Sequence, residues 1–384
     1  MLQPVASVVV PVFNRLNLLE QVLDAFPPQR SNMPFEVIVV DDGSEPPAAT
    51  VIAGRDERFR LLVQANRGRS AAINAGLAKV RGEIVIVCDA DIVPSVGFVE
   101  EHLAFHRNHP AVEETHLGAV TWGVAAPPFA ALLGPRSNPR MAGLEGPLPW
   151  PLWYTDNWSF KRQLLDSGVV RFDETFHDWG WEDLELAYRL NAWGIRNHCT
   201  STAEGRHLQA PTLDSMLQKF AGSVPNLLHL ATCVGRDKQV DNWLTLQRVT
   251  PLAVQAGESI LRRTVAHVES LAAKTAGPGP APPRILSTSL SDAVFRCGIQ
   301  QGFLQSKGEA SDVSEQDFVQ AAILPYADLV RHAIAALLDT GDPVAAGELL
   351  DFSRRSVVDG GGDDRLVSAF AMRSTRGLRR RETR

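Results

Sequence analysis

The sequence has few cysteines, no long apolar run and no excess of basic residues. Its four cysteines form no CxxC pair, so they indicate neither a zinc site nor a disulfide framework. The net charge of −6 argues against a nucleic-acid partner, because affinity for phosphate backbones requires clustered Lys and Arg. A membrane span needs about 18 uninterrupted apolar residues, and none is present. We expect a cytoplasmic protein without a transmembrane segment, peripheral if it works at a membrane.

What the sequence does contain is a regular alternation of elements in its first hundred residues. Short β-branched runs predict buried strands at residues 7–10, 36–40, 60–63 and 84–87. Between them, helical spacing predicts helices at residues 16–25, 70–79 and 96–106. This order predicts an α/β fold with a doubly wound, mostly parallel sheet. Ligands of such sheets bind beyond the carboxyl ends of the strands, so the residues that follow each strand are the candidates for function.

The remainder of the chain changes character near residue 211, where strand signals fade. Helical spacing covers residues 213–231, 243–274, 314–338 and 345–353. Residues 126–151 predict a long functional loop, and GPGPAPPR at 277–284 predicts a linker. We therefore divide the chain into an α/β domain (1–210), a helical extension (211–276) and a helical C-terminal region (285–384). Three roles stay open for the helical part: packing against the sheet, forming a homodimer or presenting a groove to a substrate.

Two polar segments follow predicted strands. Residues 35–44, FEVIVVDDGS, end in Asp41 and Asp42, which can accept hydrogen bonds from a nucleobase or a ribose hydroxyl. Residues 66–76, NRGRSAAINAG, place Asn66 and Arg69 before a helix whose positive end can face a diphosphate. Plain alternatives exist for both, since Asp-Gly is a turn signal and a capped helix with solvated arginines explains the second segment equally well.

A third segment, IVIVCDADIVPS at 84–95, carries Asp89 and Asp91 directly after a strand. Because two neighbouring carboxylates repel unless a positive charge lies between them, we favour a shared divalent cation over a polar corner. Hard oxygen ligands beside a diphosphate select Mn²⁺ or Mg²⁺. His207 is a candidate third ligand, although a lone histidine is more often structural.

A fourth segment, HDWGWEDLELAYRL at 177–190, places Trp179 and Trp181 beside Glu182 and Asp183 at the start of a helix. Acidic residues in a first helical turn are favourable through the helix dipole alone. The adjacent tryptophans favour a catalytic role for these acids. Indole faces can cover the apolar side of a sugar and can exclude water from a carboxylate that acts as general base.

Taken in order, six segments closely resemble the motif series of family two glycosyltransferases. They are VVVPVFNR, VIVVDDGS, NRGRSAAINAG, VCDADIVPS, NWSFKR and WGWEDLELAYRL, between about residues 5 and 208. The last also resembles the carboxyl-terminal motif of galactosyltransferases and polypeptide N-acetylgalactosaminyltransferases. The resemblance implies a GT-A fold and makes residues 1–210 a nucleotide-sugar-binding catalytic domain.

The resemblance also implies a role for each matching residue. The donor-binding positions are Pro11, Phe13, Arg15, Asp41, Asp42, Asn66, Arg69 and Asp89. Asp91, Asp89 and His207 would hold the cation, and Asp183 would deprotonate the acceptor, with Glu182 orienting it. The acceptor-binding positions are Trp179, Trp181 and Asn157. Two departures stand out: Ile73 replaces an arginine common in the family, and Asp156 replaces a glycine.

These features predict an inverting, divalent-metal-dependent transferase that uses a nucleotide-sugar, with UDP as the expected nucleotide. The expected acceptor is a hydroxyl of a saccharide or natural product, and a peptide or protein side chain is the alternative. A nucleotidyltransferase would open with a Gly-rich basic loop, which VVVPVFNRLN lacks. A catalytically silent nucleotide-sugar-binding scaffold is the remaining alternative, and it would bind donor without turnover.

Overall fold

The computed structural model describes residues 3–29, 31, 33–122, 128–133, 144–247, 249–274, 284–307, 323–340, 342–376 and 378. The chain forms two compact units. The first comprises residues 1–124, 143–210 and 229–235, and the second comprises residues 125–142, 211–228 and 236–384. The first unit contains the sheets, and the second is helical.

One half of the main sheet consists of four parallel strands in the order β3-β2-β1-β4. These are β1 (Ala6–Val12), β2 (Phe35–Asp41), β3 (Phe59–Val63) and β4 (Ile84–Cys88). Residues of β1 and β4 are buried along their whole length, which explains why they read as unbroken apolar runs rather than as an alternating pattern. All four strands end at the same edge.

The other half of the sheet is mixed. It contains β9 (Asn157–Lys161), β6 (Glu114–Leu117), β10 (Arg196–Cys199) and β8 (Gly146–Pro147). Strand β9 runs antiparallel to β4 and β6, and β8 runs antiparallel to β10. A small second sheet has the order β5 (Ile92–Pro94), β11 (Gly205–His207) and β7 (Val120–Trp122).

Helices of the first unit cover both faces of the main sheet. They are α1 (Leu16–Asp24), α2 (Ala49–Ile52), α3 (Arg69–Leu77), α4 (Phe98–Asn108), α6 (Arg162–Asp166) and α7 (Glu182–Ala192). Val8 and Val10 share a buried core with Leu19 of α1 and Phe98 of α4. Since side chains alternate between faces along a strand, Val9 points the other way and meets α3.

Helix α3 lies unusually close to the sheet at Gly76. A Cβ atom at this position would come 2.5 Å from Cγ1 of Val9 and 3.0 Å from Cγ2 of Val40. Only glycine fits at this distance without displacing a neighbour. The close approach fixes the height of α3 above the sheet, and with it the position of the residues at the start of the helix.

The second unit is built from α5 (Pro128–Leu132), α8 (Leu213–Gly222), α10 (Lys238–Leu244), α11 (Pro251–Lys274), α12 (Arg284–Lys307), α13 (Tyr326–Asp339), α14 (Pro343–Asp359) and α15 (Asp364–Thr375). Helix α9 (Val224–Val234) starts in this unit, and its residues from 229 onwards belong to the first. Helices α8 and α12 pack closely, since a Cβ atom at Gly298 would lie 2.6 Å from Phe220 and 2.9 Å from the Leu217 carbonyl oxygen. None of the described helices is long and apolar enough to cross a membrane.

The structure confirms the predicted fold class, an α/β sheet followed by a mainly helical region. Two of the predicted helices are interrupted. The helix predicted at 213–231 is interrupted at Ser223, and the one predicted at 243–274 is split because a new helix starts at Pro251, whose missing N–H costs nothing in a first turn. In the predicted loop at 126–151, residues 126–127 and 134–143 lie outside the described part of the chain, as do residues 277–283 of the predicted linker.

Candidate active site

The carboxyl ends of β1, β2 and β4 bring three polar loops together. The loop after β1 is tied to the loop after β2, since the backbone N–H of Asn14 donates to Ser44 (3.0 Å) and the N–H of Glu45 donates to Asn14 Oδ1 (2.8 Å). Asn14 adopts a left-handed conformation with φ 54°, which asparagine tolerates better than most residues. The neighbouring Phe13 is exposed, whereas Pro11 is buried inside β1.

Asp41 and Asp42 use their oxygens within the protein. Asp41 accepts the backbone N–H groups of Ser44 (2.8 Å) and Ala48 (2.7 Å), and so shapes the loop after β2. Asp42 accepts the backbone N–H of Arg67 (2.9 Å) and of Gly68 (2.9 Å). Both carboxylates therefore order the loops around a candidate nucleotide pocket, and Asp42 does so at the start of α3.

The segment between β3 and α3 presents the candidate diphosphate site. Asn66 is exposed, and Gly68 precedes the helix with φ 88°, a conformation that favours glycine. Helix α3 begins at Arg69. The side chain of Arg69, however, turns away from solvent toward a group of carboxylates.

Arg69 joins the donor-side and acceptor-side acids. Its Nη2 atom lies 2.8 Å from Oδ1 of Asp89, and its Nη1 atom lies 3.0 Å from Oδ1 of Asp183 and 3.3 Å from Oε1 of Glu182. Burial by itself lowers the pKa of Arg69, but the three carboxylates outweigh it and hold that pKa well above its usual range. The guanidinium therefore stays charged and neutralises part of the acidic cluster.

Two residues of this cluster were missed by the sequence analysis, Thr155 and Asp156. The Thr155 hydroxyl donates to Oδ1 of Asp183 and accepts from Nη2 of Arg69 (3.2 Å). The backbone carbonyl of Asp156 accepts the N–H of Asp89 (3.0 Å). Both precede β9, which runs antiparallel to β4 and so delivers its first residues to the carboxyl end of β4.

Crowding of acids changes the protonation of two members. Burial, followed by the charges of Asp89 and Asp183, raises the pKa of Asp156 to about 7. Burial and the charge of Asp183 likewise raise the pKa of Glu182 to about 7. Oε2 of Glu182 is buried and has no hydrogen-bond partner among the described residues. The site therefore contains carboxyl groups that exchange protons near neutral pH.

Asp91 lies at the other side of the pocket. Nη1 of Arg15 is 2.6 Å from its Oδ2, and Nε2 of His207 is 3.9 Å from its Oδ1. His207 reaches this position because β11 pairs antiparallel with β5, with His207 opposite Ile92. The structure thus brings Asp91 and His207 together as predicted, whereas Asp89 faces Arg69.

The residues around Asp91 fit a divalent cation in their chemistry. Ligands about 2.1 Å from one cation lie at most ~4.2 Å apart, and the 3.9 Å between Asp91 and His207 satisfies this limit. A carboxylate oxygen with an imidazole nitrogen suits Mn²⁺. Nδ1 of His207 accepts the N–H of Gln209 (3.2 Å), and this bond places the proton of the neutral ring on Nε2. Binding of a cation through Nε2 therefore requires the proton to leave this nitrogen.

The two predicted acceptor-binding tryptophans differ in exposure. Trp179 is 49% exposed, and Trp181 is 8% exposed. Three residues of this turn have positive φ, namely Asp178 (62°), Gly180 (94°) and Trp181 (79°), so the backbone that leads into α7 is strained. About half of the Trp179 side chain is accessible to solvent, whereas Trp181 is buried.

Asn157 does not reach the surface of the pocket. Its side chain is fully buried, donates to the carbonyls of Ala119 (3.2 Å) and Ala203 (2.8 Å), and meets Nε2 of His102 (2.9 Å) at its Oδ1. With every polar atom occupied inside the protein, Asn157 cannot bind an acceptor. The sequence prediction for this residue is corrected accordingly.

Asn157 instead belongs to a buried histidine network that the sequence did not reveal. Nδ1 of His102 lies 2.8 Å from the hydroxyl of Ser159 and 2.9 Å from Nδ1 of His116, and Nε2 of His106 lies 2.9 Å from the same hydroxyl. Burial lowers the pKa of all three histidines. They remain neutral and join α4 to β6 and β9.

Fold and site together are those of a doubly wound α/β domain with an acidic centre at its strand ends. Residues 7–113 match the family model described as Glycosyl transferase family 2. The match covers part of the first unit, and the chain is similar over this part to family 2 glycosyltransferases. The match ends before β9 and α7, so it does not include Thr155, Glu182 or Asp183.

Curated relatives include a validoxylamine A glucosyltransferase of Streptomyces hygroscopicus subsp. jinggangensis, 29% identical over 248 residues, which are 54% of this chain and 56% of the relative. A chondroitin synthase of Pasteurella multocida is 27% identical over 252 residues, 56% of this chain and 26% of the relative. The chain thus spans about half the length of the first relative and a quarter of the second. Among solved structures, S. aureus TarS 1–349 has a TM-score of 0.46 and 14% identity, covering 99% of this chain and 93% of that one.

Proposed function

We propose that this protein is an inverting, divalent-metal-dependent glycosyltransferase that moves a sugar from a nucleotide-sugar to an acceptor hydroxyl. The observation that carries the proposal is the position of Arg69, which bonds Asp89 on one side and Asp183 on the other. A donor-side acid and a candidate base thereby lie on opposite sides of one guanidinium. A uridine diphosphate sugar is the donor we propose, in line with the motif resemblance.

On the donor side, Asp91 and His207 would hold the cation, with Asp89 close to the ribose or the donor sugar. When bound, a divalent cation neutralises negative charge on the departing nucleoside diphosphate. The loop around Asp42 and Gly68 supplies the pocket wall, since Asp42 fixes the backbone at the start of α3. Phe13 offers an exposed ring face beside this loop for stacking against a base.

On the acceptor side, Asp183 is the proposed base. Both of its hydrogen bonds go to Oδ1, so Oδ2 is the oxygen without a partner in the described part of the chain. Thr155 and Arg69 fix the carboxylate through Oδ1. Oδ2 then takes the proton of the acceptor hydroxyl as the hydroxyl oxygen attacks C1 of the sugar. Attack from the side opposite the diphosphate inverts the anomeric carbon.

Glu182 is the proposed orienting residue. Because its pKa is raised to about 7, first by burial and then by Asp183, it can both donate and accept a hydrogen bond near neutral pH. A second hydroxyl of the acceptor would satisfy its buried Oε2, which has no partner among the described residues. Such a pairing would favour acceptors with adjacent hydroxyl groups.

The acceptor class we propose is a saccharide or a natural product. The exposed face of Trp179 can cover the apolar face of a sugar ring. Two relatives carry names that agree with this class, a glucosyltransferase of validoxylamine A and a synthase of chondroitin. A peptide side chain would not by itself supply the paired hydroxyls that the Glu182 and Asp183 arrangement can bind.

The test is a panel of nucleotide-sugars incubated with the purified protein and Mn²⁺ or Mg²⁺, with released nucleoside diphosphate as the readout. We expect one donor to be turned over, and chelation with EDTA to stop the reaction. Asp183→Asn should lose turnover, whereas Asp24→Asn, which alters a carboxylate paired with Arg55, should not. Binding of donors without turnover by the wild type would identify a silent binding protein and contradict the proposal.

A further inference from the structure

Three side chains of different chemistry converge away from the acidic centre. Asp173 lies in the segment before α7, and His229 and Cys233 lie one helical turn apart on α9. Nε2 of His229 is 3.8 Å from Oδ2 of Asp173 and 3.7 Å from Sγ of Cys233. Among the described residues, this is the group of three potential ligands whose donor atoms all lie within 4.8 Å of one another.

We propose that Asp173, His229 and Cys233 form a binding site for a zinc-type cation. The donor set decides the metal, because thiolate and imidazole select Zn²⁺ over the Mn²⁺ or Mg²⁺ proposed at Asp91. Three protein ligands leave a fourth tetrahedral position for water or another ligand. The site does not depend on the proposed glycosyltransferase activity.

The distances require only a small closure. In a tetrahedral zinc site with standard bond lengths, sulfur and nitrogen ligands lie about 3.6 Å apart, and nitrogen and oxygen ligands lie about 3.3 Å apart. The observed separations of 3.7 Å and 3.8 Å exceed these values by a few tenths of an ångström. The third separation, between the donor atoms of Asp173 and Cys233, is within 4.8 Å. Rotation of these partly exposed side chains would bring the three donor atoms to ligand distance.

Thr175 positions one of the ligands, Asp173. Its backbone N–H (2.8 Å) and its hydroxyl (2.7 Å) both donate to Oδ1 of Asp173, which leaves Oδ2 directed at the site. The same hydroxyl lies 2.7 Å from Nε2 of His229 and accepts its N–H, so this bond is given up when Nε2 binds a cation. A neighbour that holds ligating side chains in place is a recurrent feature of metal sites. The ring of Phe176 packs edge-on against His229 and limits its rotation.

The site is connected to the loop beside α3. Glu174, next to Asp173, accepts from Nη2 of Arg67 (2.7 Å) and from the amide of Asn74 (3.0 Å). Asn74 also bonds the backbone of Phe172 through its amide nitrogen (2.9 Å) and its amide oxygen (3.0 Å). A cation at Asp173 would therefore hold a segment that contacts α3 and the preceding loop, and its role is a structural clamp.

The test uses the 384-residue chain and Co²⁺, which replaces zinc and gives a thiolate-to-cobalt absorption band. We expect one equivalent of Co²⁺ to produce this band and Zn²⁺ to displace it. Cys233→Ser should abolish the band, while His229→Gln and Asp173→Asn should weaken Co²⁺ binding at least tenfold. Thermal melting of each variant without metal checks that the fold is intact.

The band is specific because Cys88, Cys199 and Cys297 are buried and the Asp91 site contains no thiol. Asp91→Asn is the matched control, and its band should equal that of the wild type. Absence of the band in the wild type, or its survival in Cys233→Ser, would overturn the proposal. So would a band lost in Cys233→Ser but unchanged in both His229→Gln and Asp173→Asn, which would indicate a single reactive cysteine.

Discussion

Arg15 donates a hydrogen bond of 2.6 Å to Asp91, the residue proposed to bind the divalent cation. Cation and guanidinium therefore compete for one carboxylate. Two unit charges about 4 Å apart interact by ~1 kcal/mol in water, which corresponds to about fivefold in affinity. We expect Arg15→Gln to bind Mn²⁺ about fivefold more tightly than the wild type in the absence of donor, as measured by titration calorimetry. Equal affinities would show that Arg15 moves away from Asp91 at no cost.

The pair of Asp183 and Thr155 gives a kinetic prediction. Loss of a general base lowers turnover by about a hundredfold to ten-thousandfold, so Asp183→Asn should show this loss in kcat with a small change in KM for the donor. Thr155→Val should retain the base but lose its orientation, with a smaller fall in kcat. Steady-state kinetics with the donor found in the panel measures both. An Asp183→Asn variant as fast as Asp24→Asn would exclude the assigned role.

Removal of the Arg69 charge should change the pH dependence of the reaction. The guanidinium lowers the pKa of Glu182 and of Asp156, so its removal raises both, and each carboxyl then stays protonated up to a higher pH. The acidic limb of kcat/KM in Arg69→Gln should therefore move to higher pH by about 1 to 3 units. Arg69→Lys keeps one positive charge and should move it less. If the acidic limb of the kcat/KM profile does not move in Arg69→Gln, the group that titrates there lies outside the Arg69 cluster.

The buried histidine network predicts a loss of stability in acid. Burial, and for His106 also the nearby Lys161, lowers the pKa of His102 to about 4 and of His106 to about 2, below the value of about 6.5 in an unfolded chain. Between these values the unfolded chain binds more protons, so stability falls as pH decreases below 6.5. The free energy of unfolding should fall by about 1 kcal/mol per pH unit for each histidine.

Urea unfolding at several pH values between 7.5 and 4.5 measures this dependence. His106→Gln removes one of the titrating groups while keeping a side chain that can bond Ser159. Its stability should vary less steeply with pH than that of the wild type. Parallel curves for the two proteins would show that acid instability arises elsewhere.

The correction for Asn157 is also testable. Asn157→Ala removes the partners of two buried carbonyls and of His102, and each unsatisfied buried group costs about 1 to 3 kcal/mol. We expect a large loss in the free energy of unfolding, about 2 to 4 kcal/mol, with an unchanged KM for the acceptor below the melting temperature. A raised KM without loss of stability would restore the acceptor-binding role.

The sheet and its strand-end acids were predictable because buried parallel strands leave continuous apolar runs in the sequence. Asp89 and Asp91 directly follow such a run, and the structure places them at the predicted edge. The link between Arg69 and Asp183 was not predictable, because it joins residues 114 positions apart. Likewise, His207 reaches Asp91 through pairing of strands only three residues long, too short to give a periodic signal.

Some residues that were not assigned to the site or to the histidine network had a recognisable position in the sequence. Asp156 stands directly before β9, as Asp89 stands after β4, and an acid at a strand boundary was a sufficient reason to include it. His102 and His106 are four residues apart, which places them on one face of α4. Asn157, in contrast, was assigned to the acceptor site although it is buried. A family motif gives the residue type but not the face of the strand from which its side chain projects.

Gly76 carries a consequence that extends beyond packing. Even one added methyl group at this position would collide with Val9 and Val40, and the least costly response is a shift of α3 away from the sheet. Arg69 lies at the first residue of the same helix, so the shift would withdraw its charge from Asp89 and Asp183. A substitution of one nonpolar residue by another, at a position with no polar contact, would in this way change the charge balance of the acidic cluster. The position of the Arg69 charge therefore depends on Gly76, a residue that a search for catalytic side chains would not select.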